Sequence, residues 1–247
     1  MNRDAWQARL RQLPAWDELL LAESGLPGPR GNLELMAAVA AEGDEATFHR
    51  YAAIDAMAAP TNTPGEFLAC CGVLGLGRLL AEGREDLLPG LRDHASDVRW
   101  RVREAVAMAL QTLGDTDMER LLRVARDWST GMPLEQRAAA AAVCEPRLLR
   151  RADDARATIA ILDAITATIP ARAERRDVGF LALRKGLGYA WSVAAAALPA
   201  EGLPAMDRWL ASRDDDIRWI MRQNLGKARL VRADAAWVQR ARVALDS

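Results

Sequence analysis

The sequence predicts an all-α protein, an α–α superhelix of about five to six helix pairs, and three observations carry that expectation. First, Val98, Val102, Ala105, Val106, Ala109 and Leu113 recur at helical spacing and make one buried stripe. Second, versions of this segment return along the chain, with arginines at 103, 137, 184 and 222 separated by 34, 47 and 38 residues, the range of helix-pair repeats. Third, hydrophobic residues make up 51% of the chain and aromatics only 5%. Much of that apolar content is Ala and Leu, which favours closely packed helices over strands.

In order, residues 3–22 read as one or two short helices, with Trp6, Leu10 and Leu13 on one side and Pro14 as the break. Residues 1–24 are expected to cap the stack and cover its first apolar face, and residues 25–247 to form a single solenoid. SGLPGPRGN at 24–32 is a Pro/Gly turn cluster without the flanking strand that a phosphate loop requires. Helices are expected over Asn32–Ala41 and Asp44–Ala58, then from Pro64 to Ala81 behind Thr63. Gly72, Gly75 and Gly77 stand among Val73, Leu74, Leu76, Leu79 and Leu80, so they mark close helix contacts rather than a nucleotide loop.

Pro89 opens a short helix over Leu88–His94, because its missing N–H costs nothing in a first turn. Ser96 and Asp97 stand ready to cap the next helix, and Gly114 to end it. Helices follow at 116–127, 134–144, 153–169 and 178–197, with the charged loop PARAERRD inside the longest spacing. PAEGLP at 199–204 reads as a loop before a helix at 205–211, and a closing helix lies near 233–245.

Pro89, Asp97, Val102 and Arg103 sit at mutual offsets of eight, five and one. In this the segment resembles a HEAT repeat. DDIRWIMRQNLG at 215–226 repeats the pattern with Asp216 six residues before Arg222. The resemblance implies an Asp–Arg ladder along the stack, interrupted at its centre, where Gly131 and Val178 occupy the Asp positions. It also implies that the second helix of each pair lines a concave groove. Phe67, Trp100, Leu134, Leu181 and Trp219 then share one level of that groove, with Cys70, Arg103, Arg137, Arg184 and Arg222 beside them. The candidate binding residues are Phe67, Trp100, Arg103, Arg137, Arg184, Trp219 and Arg222; the same rows also read as inter-helix packing.

Catalytic chemistry has little to stand on. The two histidines, His49 and His94, form no HExxH or Cys–His spacing, and no catalytic residue, metal ligand or cofactor is expected. Cys70, Cys71 and Cys144 give no even disulfide framework. MNRDAWQARLRQL lacks the apolar region of a signal peptide, and no run reaches a membrane span's length, so a cytoplasmic protein is expected.

The expected function is a non-enzymatic protein-interaction scaffold holding a protein or peptide partner in its groove. The alternative is nucleic-acid binding, through a resemblance to bacterial alkylpurine DNA glycosylases built of HEAT-like repeats. Trp209, Asp214, Asp216, Trp219 and Arg222 carry that resemblance, as do Asp97, Trp100 and Arg103. A net charge of −1 gives no general phosphate attraction. It is unevenly spread, with 15 basic and 22 acidic residues over 1–146 and 18 and 12 over 147–247. Of the 33 basic residues only Lys185 and Lys227 are lysines.

Overall fold

The computed structural model describes residues 1–246. Among the described residues there are fifteen α-helices and no strand. The chain divides into two compact units, Met1–Thr116 and the segment from Asp117 onward.

The first unit holds α1 (Arg3–Leu10), α2 (Asp17–Glu23), α3 (Leu33–Glu42), α4 (Glu45–Ala52), α5 (Pro64–Ala81), α6 (Leu88–His94) and α7 (Trp100–Thr116). Asn2, Asn32 and Asp44 cap their helices by accepting from the backbone N–H three residues on. The centre is α5, packed against α7, α4, α3 and α2. Its glycines permit the close crossings the sequence predicts. A Cβ at Gly72 would fall 2.3 Å from the Ala52 nitrogen, and one at Gly75 would fall 2.1 Å from the Phe48 ring. By length and apolar content α5 would suit a membrane span, yet it is the buried core of this unit.

The second unit holds α8 (Met118–Trp128), α9 (Pro133–Val143), α10 (Ala152–Ala167), α11 (Val178–Ala197), α12 (Pro199–Leu210), α13 (Asp215–Leu225), α14 (Ala228–Ala233) and α15 (Ala235–Asp246). Here α11 is central, meeting α9, α10, α12 and α13. Asp177 starts it by accepting from Phe180 N at 3.0 Å.

Several boundaries differ from expectation, each for a local reason. The helix after Asp44 stops at Ala52, because the Asp55 carboxylate accepts from Met57 N and Ala58 N and turns the chain. Gly114 does not end α7; it is buried inside it, and the break falls at Asp117, which caps α8 instead. PAEGLP is not a loop but the start of α12. Pro199 takes the first turn, and Gly202 packs so tightly that a Cβ would lie 2.4 Å from the Ala195 Cα. The cap of α13 is Asp214, whose carboxylate accepts from Asp216 N and Ile217 N.

Candidate functional site

The first unit carries an apolar cavity of about 340 Å³ between the 24–32 loop, α3, α5 and α7. Leu26, Met36, Phe67, Cys70, Ala105 and Met108 are among its walls. Trp100 stands at the lip, 45% exposed, because it opens α7 on the side opposite the buried stripe. Arg101 fixes that indole, its guanidinium lying 4.4 Å over the ring.

Arg101 is itself held from behind. It donates to Gly28 O at 2.6 Å and pairs with Glu66 at 3.1 Å. Glu66 is fully buried and accepts from Asn62 N at 2.7 Å, while its Oε1 has no hydrogen-bond partner. The 24–32 loop, the turn at Asn62 and α7 are thus tied to one buried carboxylate. Cys70 sits one turn further along α5, its thiol pushed up to about 12 by burial and by the Glu66 charge. That shift keeps it protonated and unreactive.

Arg103 takes no part in the cavity. It is buried and donates to the carbonyls of Asp97 at 2.6 Å and Val98 at 3.0 Å, which joins α7 to the turn before it. The Asp97 carboxylate goes to Arg99 at 2.7 Å. Arg99 is only 1% exposed and also donates to Asp55 O and Ala59 O. Of the first unit's candidates, then, Phe67 and Trp100 share a cavity and Arg103 braces the backbone.

In the second unit Arg184 and Trp219 come together, the guanidinium lying 4.2 Å over the indole. Arg184 pairs with Asp216 at 3.0 Å, and Arg175 bridges Asp214 at 2.7 Å and Asp216 at 3.3 Å. Both Arg184 and Trp219 line an open pocket of about 500 Å³ with Leu181, Lys185, Tyr189, Gln223 and Lys227. Arg229 donates to the Tyr189 hydroxyl at 2.6 Å. Arg137 lies elsewhere, its stem against α11 at Gly186, and Arg222 is exposed on α13 outside the pocket.

Sequence reasoning missed Glu66, Arg101, Lys185, Tyr189 and Lys227. The signal for the lysines was present: they are the only two in the chain, and both line the same pocket. Among the described residues no group of three His, Cys, Asp or Glu is placed to hold a metal ion. Compared with protein-family models, curated proteins and solved structures, the chain gives no match.

Proposed function

We propose that this chain is a non-enzymatic binding protein, its units assembled from HEAT-like helix pairs, that holds a segment of a protein partner. The observation that carries this reading is the cavity of about 340 Å³ with an exposed Trp at its lip and a mainly apolar wall, to which Arg30, Arg101 and Glu104 add charge. A pocket of that kind takes the apolar anchor of a peptide, and Trp and Arg at the edge are the usual sources of binding energy. The braces on Arg101 hold the lip in place, so little ordering cost falls on binding. The repeat assignment draws support from the pair Arg184–Asp216, which joins α11 to α13 as a ladder between neighbouring repeats requires.

The nucleic-acid alternative is less well supported by the same geometry. Its carboxylates are engaged internally: Asp97 by Arg99, and Asp214 and Asp216 by Arg175 and Arg184. Trp209 is likewise engaged, donating to Asp163 at 2.9 Å.

The test is selection from a displayed library of random peptides against the intact chain. Peptides with an apolar anchor are expected, and Trp100→Ala should weaken them by on the order of 2 kcal/mol. Failure to select any peptide, or binding indifferent to Trp100→Ala, would overturn the reading. Duplex DNA of mixed sequence in the same assay is expected not to bind. Affinity for it falling with a log–log salt slope near −0.9 for each phosphate contacted would establish the alternative.

A further inference from the structure

The second unit has a surface where positive charge is left without a partner. Some exposed arginines of the chain find carboxylates: Arg11 meets Glu42, Arg50 meets Asp17, Arg84 meets Glu45 and Arg156 meets Glu201. Around Tyr189 several unpaired cations gather in one place. Lys185 and Lys227 line the pocket there, and among the described residues neither forms an ion pair. Lys227 lies 5.8 Å from the centre of the Tyr189 ring and Arg229 lies 4.5 Å from it. Arg229 bonds only the Tyr189 hydroxyl, and its Nη1 is buried without an acceptor. Two cations thus lie over one aromatic ring, Lys185 lines the same pocket, and none of the three has an ion-pair partner among the described residues.

The same face is apolar at its other end. Val178, Leu181, Lys185 and Tyr189 are spaced three, four and four residues apart, so they form one stripe along α11. Val178 is 71% exposed and Tyr189 46%. The stripe runs from aliphatic at the start of the helix to cationic near its middle.

We infer that this stripe is a docking site for an acidic amphipathic segment of a partner protein. Carboxylates on that segment supply the counter-charge that Lys185, Lys227 and Arg229 lack, and its apolar side chains cover Leu181 and Val178. An amphipathic helix laid along such a face presents both at i, i+3, i+4 and i+7 spacing. A nucleic-acid strand fits less well, because it carries a charge at every nucleotide. It would set phosphates over the aliphatic end and beside Asp214, Asp215 and Asp216, which open α13 one turn before Trp219. The inference extends the protein-binding reading to a second site and does not require the cavity behind Trp100.

Selection of displayed random peptides on wild-type chain and on Lys185→Glu/Lys227→Glu tests it. Lys185 is exposed and Lys227 half-buried, and the far-ultraviolet circular dichroism melt of the variant checks its fold. The wild-type pool is expected to contain peptides in which Asp or Glu flank Leu, Phe or Trp. Synthetic copies of these should lose about tenfold or more in affinity on charge reversal, and their Glu→Gln versions should bind the wild type as weakly. A pool without acidic enrichment, or acidic peptides indifferent to the reversal, overturns the inference. So does an oligothymidylate that binds more tightly than the acidic peptides and is lost on the same reversal, which would make the stripe a nucleic-acid surface. If apolar-anchored peptides sensitive to Trp100→Ala persist while acidic ones are missing, the site on α11 fails and the reading of the first unit stands.

Discussion

Asn224 on α13 bonds directly into the backbone of α11 at Ser192, its Oδ1 accepting from Ser192 N at 2.8 Å. Its Nδ2 donates to Leu187 O at 2.8 Å as well as to Ile220 O in its own helix. A regular α-helix sends the Ser192 N–H to the carbonyl four residues back, so the Asn224 amide reaches from another helix into the ladder of α11. Asn224 is wholly buried, and no water can stand in for it. Asn224→Leu keeps the branched outline but removes every cross-helix bond of the amide, and should destabilise the chain by about 1–3 kcal/mol. Urea unfolding followed by circular dichroism measures this, and an unchanged midpoint would show that α11 closes its own ladder without the amide.

Glu66 and Arg101 make a second buried dependence. Arg101→Met leaves the Glu66 carboxylate without its cation and should cost about 3–5 kcal/mol. Glu66→Gln/Arg101→Met removes both charges, while the Gln oxygen still accepts from Asn62 N as Glu66 does now at 2.7 Å. The double variant is therefore expected to be more stable than Arg101→Met alone. The reverse order would show that Arg101 acts through packing on Trp100 and not through charge.

How much of this was legible depended on how local each interaction is. The limits of α6 and α11 follow from Pro89 and from the Asp177 cap, both within a turn of what they control. The arginine register pointed to Arg184, and Asp216 pairs with it from the next repeat-like segment. Glu66–Arg101 and Asn224–Ser192 join residues more than thirty positions apart. Nothing in a single sequence tells a buried Glu or Asn from a solvated one. Arg103 shows the limit from the other side: its position was legible, but its turn towards the backbone carbonyls depends on the loop at Asp97. PAEGLP misled because Pro and Gly usually break helices, whereas here Gly202 serves a close crossing with Ala195.

The thiols provide a simple check on packing. Cys70, Cys71 and Cys144 are all buried, and burial pushes each thiol above its ordinary range. Ellman's reagent should therefore find no reactive thiol in the native chain and all three after denaturation. Fast labelling of Cys70 alone would mean that the cavity walled by Phe67 and Trp100 opens in solution.

Acid should weaken the first unit in two stages, and the sign follows from the groups around Arg99. Burial is the largest influence on His94 and lowers its pKa below 6.5; the Arg99 charge lowers it further, against Asp97 and Asp93. The unfolded chain thus takes up a proton near pH 6.5 that the folded chain resists. Stability contributed by neutral His94 is present above that pH and is lost as the pH falls through the folded value. Asp97 behaves similarly at lower pH. Burial pushes its carboxyl up, but the hydrogen bonds from the Arg99 side chain and backbone outweigh it, and the net shift is downward from 3.8. Its contribution is present above about pH 4 and is lost below. The unfolding midpoint should hold steady above about pH 7.5, decline through the range of His94 and decline again below about pH 4. His94→Gln should abolish the first decline and leave the second. A midpoint that rises between pH 7 and 5.5 would contradict the assignment, since it would require His94 to be better protonated in the folded chain than in the unfolded one.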